Sequence, residues 1–273
     1  MSQTSGIPAR SFRHSFGSYS QTLPEFFGFL SWHRENPGPC LPPASLPAQS
    51  LGGMHPETQH VVITGGTGSF GRAIAAALQA PHRQIEVLGS LDLDVKQENA
   101  VRAYFKNRTV DLLVCAAGIT RDAPLIRLSE ESWNETWAVN FKGAVSCAQA
   151  VLPGMLARKT GHVIFISSFS ALQPPVGQVA YASAKAALLG LVADLAPRHG
   201  SSNIRINAVL PGFLATRMTE AVTERRHREI LASHALGRLN TCENAAGFVR
   251  FLHDELPHTS GQVFQLDSRV PPQ

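Results

Sequence analysis

From residue 60 onward, apolar positions fall into two alternating patterns. Short, mainly apolar runs stand at 60–64, 84–88, 111–115, 162–167, 204–210 and 263–266. Between them lie stretches with helical spacing: 72–78, 95–105 (through Val101, Tyr104 and Phe105), 132–156 and the Ala/Leu-rich 178–195. Short apolar-rich runs mark buried strands, and their alternation with helices predicts a parallel sheet covered on both sides. The expectation is a single doubly wound α/β (Rossmann) domain over 59–273, with its ligand outside the C-terminal strand ends.

Residues 1–58 follow neither period. They hold eight prolines among many Ser, Gly and Gln, and proline removes backbone donors and blocks helices and ladders. The stretch predicts a disordered extension, dispensable up to Met54, which lies six residues before the first strand. The counter-reading docks Phe26, Phe27, Phe29, Leu30 and Trp32 on the domain or on a partner.

Composition narrows the function classes. Hydrophobic residues make up 44% of the 273, enough for a sizeable core, while the net charge of +4 comes from scattered Lys and Arg. No basic stripe points to nucleic acid, and the longest apolar runs fall short of a membrane span. Cys40, Cys115, Cys147 and Cys242 have no paired spacing, so neither a metal site nor a disulfide framework is expected. A reducing, cytoplasmic compartment fits. The apolar run 26–32 follows Pro24 and Glu25 and precedes no small-residue cleavage signal, unlike a secretory leader.

Two segments carry chemistry. The first strand runs into Thr64-Gly65-Gly66-Thr67-Gly68-Ser69-Phe70-Gly71 and then into a helix. Gly66, Gly68 and Gly71 satisfy G-x-G-x-x-G in the strand–turn–helix context of a dinucleotide loop. Glycine lets the backbone turn tightly against a pyrophosphate, which the helix N-terminus then receives on free N–H groups. Gly65, Gly68, Ser69, Phe70 and Gly71 are the candidate contacts. The second segment, Tyr181-Ala-Ser-Ala-Lys185, puts two side chains on one helix face. A phenol near pKa ~10 is a poor base at neutral pH, and a neighbouring ammonium is expected to lower that value.

Four further segments surround this pair in chain order: Cys115-Ala116-Ala117-Gly118, Val139-Asn140-Phe141, Ile166-Ser167-Ser168 and Pro211-Gly212-Phe213-Leu214-Ala215-Thr216. With them, the chain from His60 to about Asp267 resembles the short-chain dehydrogenase/reductase family. The resemblance implies a nicotinamide cofactor and four catalytic residues. Ser168 would bond the reacting oxygen, Tyr181 would exchange its proton, Lys185 would hold the ribose, and Asn140 would relay protons through water to Lys185. Ala117 and Gly118, Asp94 and Val95, and Pro211, Gly212 and Thr216 would line the dinucleotide along with Tyr181 and Lys185. Ala117-Gly118-Ile119-Thr120-Arg121-Asp122, Leu236-Gly237-Arg238-Leu239 and Ser260-Gly261-Gln262-Val263 are similar to the bacterial 3-oxoacyl-[acyl-carrier-protein] reductases. This implies a 3-oxoacyl thioester substrate on acyl carrier protein or CoA, and a homo-oligomer, tetramer or dimer, assembled through the two long central helices.

The chain also departs from that family. The asparagine of its N-N-A-G turn is Ala116 here. Its C-terminal glycine pair is replaced by Asp267-Ser268-Arg269, which puts the tetramer's tail contacts in question. So few residues separate 84–88 from Asp94-Val95, the adenine pair at the end of the family's third strand, that the helix between the second and third strands must be lost or reduced. Cofactor choice stays open. Ser90 is the candidate 2′-phosphate contact and the resemblance leans to NADP, while Asp92, about twenty residues beyond Gly71, has the spacing of the acid that selects NAD. Arg225, Arg226, His227 and Arg228 read as a solvated helix face, with an acidic carrier or CoA phosphates as the alternative. Competing functions are a dehydrogenase of a small alcohol, polyol or ring ketone, and a weakly catalytic dinucleotide-binding protein.

Overall fold

The computed structural model describes residues 58–269; the expectations for the proline-rich stretch lie outside the described residues. Strands β1 (Gln59–Thr64), β2 (Arg83–Leu88), β3 (Leu112–Cys115), β4 (Gly161–Ile166), β5 (Ile204–Leu210) and β6 (Val263–Gln265) form one sheet in the order β2-β1-β3-β4-β5-β6. Every neighbouring pair is parallel. The helices are α1 (Ser69–Ala77), α2 (Glu98–Phe105), α3 (Glu130–Trp137), α4 (Gly143–Arg158), α5 (Val179–His199), α6 (Glu224–Ala232) and α7 (Cys242–Asp254).

Alternate residues of each strand divide the core into two layers, as the two-residue strand period requires. Val62, Leu113, Val163, Phe165 and Ile206 pack with Val101, Cys147, Val151, Leu188 and Val192 of α2, α4 and α5. Val61, Ile63, Val114, Ile164 and Val209 pack with Ile74, Leu78, Val249 and Leu252 on the side of α1 and α7. The doubly wound expectation holds. The chain runs outward from β1 to β2 and returns to β3 on the other side, so strand order reverses between β1 and β3, and a ligand crevice opens there.

Three elements differ from the sequence expectation. The predicted helix 132–156 is two helices joined by a π-turn at Ala138–Lys142, where the Gly143 N–H reaches back to the Ala138 carbonyl. Helix α5 runs past Pro197 to His199. One lost backbone bond near its end is tolerated, and Arg198 pairs with Asp194 across the last turn at 2.7 Å. Helix α7 is absent from the sequence reading although its signals are present. Thr241 caps it by accepting from the Asn244 N–H at 3.1 Å, and Ala245, Ala246, Val249 and Leu252 form its buried stripe.

At the opposite end of the sheet, α7 is fastened by a buried polar chain. Asn207 Oδ1 accepts from the Gln262 N–H at 3.0 Å, which turns its amide nitrogen toward His162 Nε2 at 3.1 Å. His162 Nε2 is therefore the acceptor, and its Nδ1–H donates to His253 Nδ1 at 3.1 Å. Both rings are neutral: burial, and next the Arg205 charge, hold His162 well below the usual imidazole range and His253 at about 4. Both folded-state values lie below the ordinary ~6.5, so this contribution to stability is complete above pH ~6.5 and is lost as pH falls toward about 4. The melting temperature is expected to drop by several degrees over that window, and less so in His253→Gln. A flat profile in the parent protein contradicts this account.

Candidate active site

The glycine loop is built from three separate close approaches. Gly65 has φ +67°, and a Cβ there would lie 2.6 Å from the Ala117 backbone. A Cβ on Gly66 would meet Val87 at 2.5 Å, and one on Gly71 would meet the Gly66 Cα at 2.5 Å. Gly68 starts α1 without a side-chain cap, and the first turn carries no acid. The N–H groups of Ser69, Phe70 and Gly71 are thus left for an anion, the arrangement a pyrophosphate needs. The residues present fit a dinucleotide.

Beyond β2 no helix intervenes before α2. A turn at Gly89–Asp92 leads directly to Asp94-Val95, so the edge strand is β2 and no strand precedes Asp94. Asp94 Oδ1 accepts from the Lys96 N–H at 3.1 Å. The Val95 side chain is core: a Cβ on Gly143 would touch it at 2.6 Å. Ser90 is exposed in the turn. The Asp92 carboxylate bends back to the end of β2 and accepts from the Gly89 N–H at 2.8 Å. Gly89 itself lies against Thr67 of the glycine loop, which brings this acid beside the loop. The turn after β3 stays tied to β1 through the Ala116 N–H and the Thr64 carbonyl, 3.1 Å, without the asparagine of the family turn.

The π-turn has a clear effect on Asn140. A π-turn shifts backbone pairing by one residue, and the Asn140 side-chain nitrogen donates to the Thr136 carbonyl at 2.8 Å and to Ile119 O at 2.8 Å. Both amide hydrogens are spent, which fixes the orientation, and the buried Asn140 Oδ1 has no partner. It faces Gly118, where a Cβ would lie 2.9 Å from that oxygen and 3.5 Å from Lys185 Nζ. An orphaned carbonyl and an ammonium thus border one small space.

Ser168 lies beyond the end of β4, and its oxygen accepts from the Ser170 N–H at 3.2 Å. Its side chain also acts on the Tyr181 phenol, whose pKa it lowers. The four-residue spacing predicts an ammonium beside that phenol; the structure places it lower. Lys185 Nζ donates to Ile166 O at 2.8 Å and stands 5.8 Å from the centre of the Tyr181 ring. Burial pushes the phenol up from its ordinary value, the Ser168 hydrogen bond opposes this, and the Asp122 charge adds to it. The phenol thus stands above its ordinary value, against the lowering expected from the four-residue spacing. Burial shifts Lys185 itself, down to about 8.

Asp122 belongs to a polar string that sequence reasoning missed. Gln178 donates to Asp122 at 2.7 Å and accepts from the Ser170 hydroxyl at 2.9 Å. No local motif announces it, since it joins residues 56 positions apart. On the far wall, Gly212 has φ +93°, Asn240 donates to Pro211 O at 2.9 Å, and the Thr216 N–H donates to the Thr219 hydroxyl at 2.9 Å. Arg225, Arg226, His227 and Arg228 are exposed on α6, and two of them pair with Glu229; for those two the solvated-face reading holds.

Comparison with known proteins agrees with this geometry. Residues 54–268 match a family model described as enoyl-(acyl carrier protein) reductase. The 3-oxoacyl-[acyl-carrier-protein] reductase of Thermotoga maritima is 37% identical over 182 residues, 66% of this chain and 74% of that protein. The enzyme of the same name from Escherichia coli is 31% identical over 240 residues, covering 78% of this chain and 98% of its own length. The crystal structure of 3-oxoacyl-[acyl-carrier protein] reductase from Brucella melitensis shares the fold, with a TM-score of 0.72 at 23% identity over 77% of this chain and 90% of that one. The glycine loop, the Tyr181–Lys185 helix and the parallel sheet that joins them thus belong to a member of the short-chain dehydrogenase/reductase family, with the 3-oxoacyl-[acyl-carrier-protein] reductases among its relatives.

Proposed function

We propose that this chain reduces the 3-oxo group of an acyl thioester, carried on acyl carrier protein or CoA, to the 3-hydroxyacyl form. The observation that carries the reading is the buried Lys185, on the helix of Tyr181, whose Nζ borders one small space with the unpartnered Asn140 Oδ1, while Ser168 beyond the end of β4 opposes the rise of the Tyr181 phenol pKa. A bound dihydronicotinamide supplies the hydride to the carbonyl carbon. Tyr181 gives its proton to the carbonyl oxygen. Ser168, whose oxygen already accepts from Ser170, keeps its O–H free to donate to the same oxygen. Lys185 and Asn140 return a proton to Tyr181 through water held between them. The test compares acetoacetyl-CoA with cyclic ketones and polyols as substrates. A kcat/KM favouring the thioester supports the reading, and a preference for the small alcohols or ketones replaces it with the dehydrogenase alternative.

NADP(H), read by Ser90, is the cofactor that the resemblance favours. One observation favours NAD(H) instead: the exposed Asp92 carboxylate stands at the end of β2, where it would accept from a ribose hydroxyl and repel a 2′-phosphate. Asp92→Ser is then expected to raise the NADPH/NADH ratio of kcat/KM by roughly tenfold or more. An unchanged ratio returns the choice to NADP(H).

Assembly into a homo-oligomer is supported by α5. An 18-residue window in Val179–Ser202 has mean hydropathy 1.5, yet 39% of it is buried within the protomer. A helix this apolar that its own protomer buries only in part calls for further cover, which a second copy at α4 and α5 would supply. The described cysteines Cys115, Cys147 and Cys242 are free and buried, which supports a reducing, cytoplasmic setting.

A further inference from the structure

Where the family resemblance carries a glycine pair, this chain has Asp267-Ser268-Arg269, and these residues join three walls of the site. The Asp267 carboxylate is fully enclosed. It accepts from Arg269 Nε at 2.7 Å and from Gln265 Nε2 at 2.8 Å, with Arg269 Nη2 at 2.5 Å closing a two-pronged pair. On one side the Arg269 guanidinium lies 3.9 Å over the ring of Phe169, the residue that follows Ser168. On a second side Asp267 packs against the Gly212 turn, where a Cβ would come within 2.9 Å of the Asp267 Cβ. On the third, His234 and Arg269 form an antiparallel bridge. Beside it the Ala235 N–H donates to Ser268 O at 3.0 Å, and the Leu236 N–H donates to the Ser268 hydroxyl at 3.2 Å. These last residues end the loop that leaves Gly212 and carries α6.

We infer that Arg269, clamped by Asp267, is a positioning residue that fixes the loop at 216–240 against Phe169 and so sets the acyl side of the site. The inference rests on the proposed reduction of an acyl thioester and places the acyl chain between that loop and Ser168. A guanidinium suits the task because two of its nitrogens converge on Asp267 Oδ2 while its face stacks on an aromatic ring. Nothing nearby replaces it. His234 Nδ1 donates to Ile230 O at 2.7 Å, and its Nε2 stands 3.7 Å from Asp267, too far for a hydrogen bond. Arg269 touches neither Tyr181 nor the glycine loop, so its loss is expected to act on substrate fit and to spare dinucleotide binding.

Two variants test this. Arg269→Lys keeps the charge but lacks the fork and the flat face. Asp267→Asn/Arg269→Ala removes both partners and leaves no buried charge stranded. Each is expected to speed amide hydrogen exchange across 216–240 by about tenfold while exchange in β3, β4 and β5 stays within about twofold. With acetoacetyl-CoA, KM is expected to rise about tenfold, with kcat within about threefold and dinucleotide Kd within about twofold. Unchanged exchange in both variants overturns the inference. So does faster exchange spread evenly over the sheet, which is the signature of general destabilisation. If the parent protein does not reduce the thioester, the proposed substrate fails, while the exchange measurement still decides what Arg269 does to the loop.

Discussion

Replacing Tyr181 by phenylalanine is expected to lower kcat by about 10²–10⁴-fold, the usual contribution of a positioned general acid. The ring keeps its packing, and the loss is confined to the phenolic hydroxyl. Burial holds this phenol above its ordinary value, so it carries its proton throughout the neutral range, as a donor for ketone reduction must. Dinucleotide Kd is expected to stay close to that of the parent protein. Turnover at saturating substrate is the measurement, and a phenylalanine variant with parental kcat shows that Tyr181 is not the acid.

Lys185→Ala is expected to cost more than rate. Its Nζ donates to Ile166 O at 2.8 Å inside the domain, and the proposed reading has it hold the ribose of the dinucleotide. Losing one hydrogen bond to a charged group weakens dinucleotide binding by roughly tenfold or more, and kcat is expected to fall about 10²-fold as proton return fails. The pH dependence separates the two roles. Lys185 holds its proton below about 8, so reduction by the parent protein is level below that pH and declines above it. Without Lys185 the alkaline limb moves upward, to the ionisation of the raised Tyr181 phenol. Normal dinucleotide affinity together with an unmoved alkaline limb contradicts the double role.

The sheet and the Tyr181–Lys185 helix are legible in the sequence because their signals are local. Short apolar-rich runs such as 204–210 admit one reading when helical stretches flank them. The glycine loop is legible for the same reason, and the structure assigns each glycine a separate contact. The π-turn at Asn140 is not legible: Val139 and Phe141 continue the apolar pattern across it, and the break follows from how the Asn140 side chain takes the Thr136 carbonyl. Lys185 shows the limit of spacing arguments. Four residues put it on the face of Tyr181, but its long side chain finds the Ile166 carbonyl instead of the phenol. The Asp122–Gln178–Ser170 string and the Asp267–Arg269 clamp join distant segments, and only the folded chain brings them together. Helix α7 is a different case, because the Thr241 cap and the stripe from Ala245 to Leu252 are both readable.

The most direct measurement follows the reduced cofactor, deuterated at the transferred position, as purified protein meets acetoacetyl-CoA. The account predicts oxidation of the dinucleotide at a rate that Tyr181→Phe lowers by about 10²–10⁴-fold, and a 3-hydroxybutyryl-CoA product carrying the deuterium on C3. A protein that binds the dinucleotide yet transfers no deuterium to the thioester, with either NADH or NADPH, contradicts it.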